Sequence, residues 1–259
     1  MKILAINGSH RGNRGLCGHY IRLLFRGAEQ AGADCECVEL SRLSINRCLA
    51  CGHCQQETSR FECVYENKDD VHAIFEKMRS ADLLIYATPV YVFGMSGLLK
   101  TFLDRLYATG ISNEFKATQS GLLFHSIDSE LCSRPFVPLI CCDNMEYESS
   151  ASVVAYFNVF SKFMDASQRG LLIRNGGKFI QQPDADVVLR KKERIETAFI
   201  KAGYELASMG KIRASTQRGA SQEVIPVPFF HWIKRIHSHA LKTKFIEKAS
   251  QVISGKAAN

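Results

Sequence analysis

Two hydrophobic rhythms alternate along this chain. Short unbroken apolar runs are followed by longer stretches in which apolar residues return every three or four positions. Ile3–Ile6, flanked by Lys2 and Asn7, predicts a short buried strand. Leu16, Tyr20, Leu23, Leu24 and Ala28 form a stripe that predicts a helix over Leu16–Ala31, stopped at Gly32. Asp34–Leu40 alternates around Cys35, Cys37 and Val38 and suits a second strand at a sheet edge. Val71, Ile74, Phe75 and Met78, preceded by Asp69 and Asp70 as caps, predict the next helix. Leu83–Ala87 is a strongly apolar strand that ends in Thr88-Pro89. Ser96 can then cap a helix bearing Leu99, Phe102, Leu103 and Leu106. Val137–Cys142 reads as the fourth strand, Ala151–Met164 as an aromatic-rich helix and Gly170–Arg174 as a fifth strand closed by Asn175-Gly176-Gly177. A long helix is expected from about Ala185 to Met209, ended by Gly210. Another is expected over Pro226–Ile253, with Phe230, Ile233, Ile236, His237 and Ala240 near one face. Residues 108–134 follow neither rhythm, and so long a connection is usually functional or itself partly structured.

This alternation predicts an α/β fold with a doubly wound five-stranded parallel sheet, because parallel strands need helical crossovers. Ligands of such sheets bind beyond the carboxyl ends of the strands, near the switch point. The loops Gly8–Gly15, Pro89–Met95 and Asp143–Glu146 should therefore meet. The main domain is expected over 1–210, with a cysteine-rich segment at 48–63 and an insert at 108–134. Residues 211–259 are expected to form a mainly helical C-terminal extension.

The first of those loops has the chemistry of an anion seat. Its glycines let backbone N–H groups turn toward one point, and the helix that follows adds its dipole. Ser9 and Asn13 supply small polar groups, while Arg11 and Arg14 supply charge, so phosphate is the expected anion. The loop is neither a Walker sequence nor GxGxxG, and a plain polar turn is the alternative. The second loop, Thr88–Gly94, has few charges and offers amides beside aromatic faces. It suits a flat heteroaromatic ring, or else is an ordinary turn with Tyr91 and Phe93 buried. Asp143 and Asn144, in the third loop, could close over the same ring.

Composition narrows the setting. Over 259 residues, 46% are hydrophobic and 23% charged, as in an ordinary soluble protein. No run is long and apolar enough for a membrane helix, and the N-terminus has no signal-peptide character, so a cytoplasmic setting is expected. The net charge of +7 is spread along the chain. It favours anionic ligands without pointing to nucleic acid. Neither a Ser/His/Asp order nor paired carboxylates suggest hydrolysis. Ten cysteines are many for a reducing compartment, so tightly spaced ones invite a metal reading before a disulfide one. Cys48, Cys51, Cys54 and Cys63 follow C-x2-C-x2-C-x8-C, and the first three have bacterial ferredoxin spacing. An iron–sulfur cluster, zinc on the same sulfurs or with His53, and free or redox thiols all remain open at this point. Cys17, Cys35, Cys37, Cys132, Cys141 and Cys142 read as core packing. His10 is a source of positive charge or a solvent-facing turn residue. Phe229, Phe230 and Trp232 read as a docked helix face or a dimer contact.

GSHRGN after the first strand, the spacing to TPVYVFGMSGLLKTFLDRL and the cysteines between them resemble the NADPH-dependent FMN reductase superfamily. More narrowly, they resemble its iron–sulfur flavoprotein branch, over roughly residues 1–107. The resemblance implies a flavodoxin-like fold with FMN at the carboxyl edge of the sheet. It implies that Ser9, Arg11 and Asn13, with the amides of Arg14, Gly15 and Leu16, hold the phosphate. Pro89, Val90, Tyr91, Val92 and Gly94 would flank the isoalloxazine, and a 4Fe–4S cluster would sit on Cys48, Cys51, Cys54 and Cys63. Two departures are visible. Gly15-Leu16 stands where the family often has Asn-Thr, and Cys142–Met145 replaces a glycine-rich third loop. The expected activity is electron transfer from NAD(P)H to a small-molecule or protein acceptor, in a homodimer or homotetramer. The alternatives are an electron carrier reduced by a ferredoxin-type donor, or an FMN reductase without a cluster.

Overall fold

The computed structural model describes residues 1–177, 180, 186–224, 236 and 238–253. The N-terminal strand β1 (Lys2–Asn7) lies between β2 (Asp34–Glu39) and β3 (Leu83–Tyr91). Beyond β3 come β7 (Phe136–Cys141) and β8 (Leu172–Arg174), all parallel. This order, first strand inside and sequence reversing beside it, is that of a flavodoxin-like sheet. Register is tight across it: Ile6 pairs with Val38 on one side and Tyr86 on the other, and Ala87 pairs with Leu139. The sheet holds a further strand that the hydrophobic pattern does not announce. Gly94–Met95 (β4) folds back antiparallel on Val90-Tyr91.

Because successive side chains of a strand point to opposite faces, β1 feeds two cores. Ile3 and Ala5 face α1 (Leu16–Gln30) and α6 (Asp186–Met209), whereas Leu4 and Ile6 face α2 (Val71–Ser80), α3 (Gly97–Asp104) and α5 (Glu148–Phe163). Where α1 and α6 cross, both carry glycine. A Cβ on Gly27 would stand 1.7 Å from the Ile200 carbonyl oxygen, and one on Gly203 1.8 Å from that of Leu24. Tyr20 stacks on Phe199 beside this crossing, ring centroids 4.1 Å apart.

Residues 108–134 contain a separate two-stranded antiparallel sheet, β5 (Gly110–Ala117) and β6 (Leu123–Ile127), followed by the short helix α4 (Ser129–Cys132). C-terminal to α6 come α7 (Ala214–Ala220) and α8 (His239–Ile253). Of the expected tail helix, His239–Ile253 is helical, Ile236 is exposed and non-helical, and Phe229, Phe230, Trp232, Ile233 and His237 lie outside the described residues. Lys242 of α8 reaches Glu146 at 3.1 Å. No described helix is long and apolar enough to cross a membrane.

Candidate functional site

The first seat forms where β1 ends. Gly8 donates to the Ala87 carbonyl (2.8 Å), and its carbonyl accepts from Ser96 Oγ (2.6 Å). Ser96 Oγ also accepts from the Leu99 amide (3.2 Å), so the cap predicted for α3 doubles as the tie between the first two loops. Thr88 Oγ1 accepts from the Ser96 amide at 2.9 Å, which locks that corner. Gly8 has to be glycine, since a Cβ there would meet Leu99 Cβ at 2.6 Å.

From this anchored corner the Gly8–Gly15 loop curls into a 3-10 turn and then into α1. Ser9 is buried, and its Oγ accepts from the Arg11 amide at 3.2 Å. Gly15 occupies the N-cap of α1, where no side chain caps the helix, and a Cβ on it would stand 2.8 Å from Ser9 Oγ. Together with Arg11, Leu16 and Cys17 these residues line a cavity of about 130 Å³. Pro89, Val90 and Tyr91 of β3 form another wall, and Cys141 and Asp143 complete it. An uncapped helix start beside a guanidinium and a buried hydroxyl is a donor set suited to phosphate. Asn7 Nδ2 is buried and has no partner among the described residues.

The structure thus brings together Ser9, Arg11, Gly15, Leu16, Pro89, Val90, Tyr91 and Asp143 from the expected set, and it turns others away. Asn13 is engaged elsewhere: its amide and Nδ2 donate to Glu39 at 2.7 and 2.6 Å, and its carbonyl accepts from Arg22. Arg14 is exposed, and its amide closes the 3-10 turn on the Arg11 carbonyl (3.1 Å). The Gly15 amide closes on Gly12 in the same way (3.2 Å), which leaves the amide of Leu16 as the expected donor. Val92 is 92% exposed, and Gly94 sits on β4 rather than against the cavity. Asn144 folds back on its own loop, its Oδ1 accepting from the Glu146 amide and its carbonyl from Gly176.

Pro89–Tyr91 belong to β3, so the expected loop contracts to the turn Val92-Phe93. Both residues adopt left-handed backbone, φ 46° and 64°, which costs a β-branched or aromatic residue conformational energy. Ser152 of α5 holds the Phe93 carbonyl. The turn presents Tyr91, Val92 and Phe93 outward, with His10 5.8 Å from the Tyr91 ring. Burial, reinforced by Cys17, lifts the Tyr91 pKa, and Arg11 opposes the rise.

Sequence reasoning assigned Cys17 and Cys141 to the core. Both are buried, yet both also floor the cavity, because one follows the helix start and the other ends β7. Burial and a hydrogen bond that the Cys141 thiol donates to Cys17 hold Cys141 protonated well above its usual range. Gly177 was read only as a strand stop. It sits behind the seat, where a Cβ would meet Leu16 Cδ2 at 2.4 Å and Asp143 Oδ1 at 3.0 Å.

A second, narrower cavity is lined by Cys48, Cys51, Cys54 and Cys63 together with Arg105 and Tyr107. Left-handed turns at Ala50 and Gly52 (φ 51° and 73°) wrap the chain between the first three cysteines. Cys48 Sγ accepts from the Ala50 amide at 3.4 Å, and Cys54 Sγ from Gln55 Nε2 at 3.7 Å. Burial raises the Cys54 pKa and the nearby Cys63 and Cys48 add to it, while Gln55 works the other way. Among the described residues, no three His, Cys, Asp or Glu side chains converge tightly enough to hold a single metal ion. As a donor set, four soft sulfurs sharing one cavity fit an iron–sulfur cluster.

Residues 1–128, which include the first two of the three loops at the seat and the cysteine segment, match the family described as NADPH-dependent FMN reductase. An iron–sulfur flavoprotein of Methanosarcina thermophila is 36% identical over 105 residues, covering 40% of this chain and 52% of the relative. One from Archaeoglobus fulgidus is 30% identical over 105 residues, covering 40% and 48%. The chain therefore spans about half the length of these curated relatives. Among solved structures, an FMN-dependent NADH-azoreductase from Bacillus anthracis, in complex with FMN, superposes with a TM-score of 0.56 at 15% identity. That match covers 80% of this chain and 99% of the azoreductase, and it bears on the fold alone.

Proposed function

We propose that this chain is an FMN-dependent NAD(P)H oxidoreductase that carries an iron–sulfur cluster on Cys48, Cys51, Cys54 and Cys63. The observation that carries the flavin reading is the meeting of the three loops at one cavity, at the carboxyl end of the parallel sheet. Ser9 Oγ, the Arg11 guanidinium and the amide of Leu16 would hold the phosphate. A cavity of about 130 Å³ holds that end and little more. The ring system would therefore extend from the cavity lined by Pro89, Val90 and Asp143 toward the exposed Tyr91, Val92 and Phe93. Bound flavin would supply the hydride and electron chemistry. The chain's own part is to position the ring and tune its surroundings, and no side chain at the cavity is needed as a dedicated acid or base.

The four-thiol cavity supports the cluster. Soft thiolates are the usual ligands of iron–sulfur clusters, and the first three of these cysteines have the ferredoxin spacing. Anaerobic purification followed by a visible spectrum, with iron and acid-labile sulfide assayed on the same sample, tests both centres. Flavin bands that bleach with NADH or NADPH, plus about four irons per chain, are expected. Flavin without iron reduces the protein to a simple flavin reductase. Protein that neither contains nor takes up FMN refutes the central reading.

A further inference from the structure

We propose that Cys17 and Cys141 are a dithiol that a peroxide oxidises to a disulfide, and that this bond closes the anion seat to phosphate. The bond does not depend on the flavin reading, whereas its effect on FMN rests on that reading. The two residues come from distant parts of the chain, Cys17 from the first turn of α1 and Cys141 from the last position of β7. Both are free thiols, and both line the seat cavity while only 1% and 3% exposed. The Cys141 thiol donates to Cys17, so the two sulfurs already face each other. Cys142 is directed elsewhere: its sulfur accepts from the Asn144 amide, and it lies outside the cavity lining. Cys48, Cys51, Cys54 and Cys63 line a separate cavity. Phosphate binding itself does not call for sulfur at these positions, since a thiol is a weak donor beside hydroxyls and amides.

The empty seat, about 130 Å³, admits hydrogen peroxide, because a water molecule takes up only roughly 30 Å³. Burial holds Cys141 protonated, so Cys17 is the first nucleophile. Its sulfur takes one peroxide oxygen as the O–O bond breaks, which gives a sulfenic acid and one water. The Cys141 sulfur then attacks the Cys17 sulfur, the S–O bond breaks, and the hydroxyl leaves with the Cys141 proton as a second water. Two thiols and one peroxide thus yield one disulfide and two waters, and the two electrons lost by sulfur reduce the peroxide. A covalent S–S bond is much shorter than a thiol–thiol contact. Closing it draws the first turn of α1, with its Gly15 cap and the Leu16 amide, toward the end of β7. The seat's donors then no longer converge on one anion. Phosphate already in the seat would in turn keep peroxide from both sulfurs.

The test treats full-length, flavin-free protein with hydrogen peroxide, alkylates the remaining thiols and maps disulfides by peptide mass spectrometry. FMN affinity is read on the same samples by fluorescence quenching. A Cys17–Cys141 linkage is expected, with FMN affinity lowered about ten-fold or more, the worth of one charge-assisted hydrogen bond, and restored by dithiothreitol. Saturating FMN added before the peroxide should suppress the linkage. Cys17→Ala and Cys141→Ala should each abolish both the linkage and the peroxide effect on affinity, whereas Cys142→Ser should keep both. Each variant is compared with its own untreated sample, so a direct effect of the substitution on the seat cancels. Absence of the linkage in treated wild type, a linkage that leaves FMN affinity unchanged, or a peroxide effect that survives in Cys17→Ala or Cys141→Ala would each overturn the proposal. Protein that forms the linkage yet takes up no FMN even when reduced would refute the flavin reading while supporting the dithiol.

Discussion

Replacing Arg105 with methionine should cost this protein a large part of its stability, and should do so through the cysteine segment. Arg105 and Asp69 are 3% and 1% exposed, and their charged ends meet at 2.5 Å. Arg105 also donates to the Asn46 carbonyl (3.0 Å) and lies over the Tyr65 ring at 5.3 Å, while Asp69 accepts from the Asn46 amide (3.0 Å). The pair therefore clamps both ends of the stretch that carries the four cysteines. Methionine fills the space but leaves a buried carboxylate alone, at a cost of ~3–5 kcal/mol. The double variant Arg105→Met/Asp69→Asn buries no charge and should recover ~2 kcal/mol or more of that loss. Urea unfolding of all four proteins gives the cycle, and thiol alkylation rates report whether the cysteine segment loosens before the whole. A loss under ~1 kcal/mol for Arg105→Met, or additivity within ~0.5 kcal/mol, would refute the reasoning. The pH dependence has a definite sign. Burial pushes the Asp69 carboxyl up, but Arg105 and the amides of Asn46 and Val71 outweigh it and hold it below its ordinary value. The contribution is therefore complete above the unfolded carboxyl's pKa of ~3.9 and drains away as pH falls through the lower folded value. Arg105→Met should lose this acid dependence.

Gly15→Ala should leave the fold standing but weaken FMN binding at least about ten-fold, because the new methyl presses on Ser9 Oγ in the seat. Fluorescence quenching on titration of the apoprotein with FMN measures it, and unchanged affinity would remove Ser9 and Gly15 from the seat. Gly203→Ala should cost about 3 kcal/mol or more, since its methyl meets backbone rather than a movable side chain. Calorimetry showing an unchanged Tm would mean that the α1–α6 crossing is looser than described. Val92→Gly should be neutral or add roughly 0.5 kcal/mol, relief of left-handed strain outweighing glycine's extra unfolded-state freedom. Val92→Ala keeps the strain and should show no such gain in urea unfolding.

The sheet was legible because its strands are buried on both faces and so appear as unbroken apolar runs, as in Ile3–Ile6. The Ser96 cap was legible for a local reason, a small hydroxyl three residues before the amide it accepts from. Asp69 and Asp70 read equally well as caps, yet Asp70 accepts from the Ser44 amide and Asp69 serves Arg105 and Asn46. Those partners are 23 or more residues away, which no local pattern reports. Asn13 misled in the same way, since its partner Glu39 lies at the end of the neighbouring strand. The extension of β3 through Pro89 was hidden by the usual reading of proline as a strand stop. Here the strand reaches past the helix-covered sheet, with β4 folded back on it. The β5–β6 hairpin was unreadable because its outer face is solvated and Phe115 and Leu123 stand exposed, so neither periodicity emerges.

The glycine crossing of α1 and α6 bears on how such a chain can be inherited or rebuilt. The recognisable half, residues 1–128, includes α1 but neither the helix that shelters it nor the strand β7 that flanks β3. Recognisability and autonomy therefore have different boundaries: a fragment cut at the edge of resemblance would leave Tyr20 and Leu24 bare to water. Any chimera that exchanges the distal half for that of a relative must import a residue without a side chain opposite the Leu24 carbonyl. At that point of backbone contact the two halves must change together or not at all.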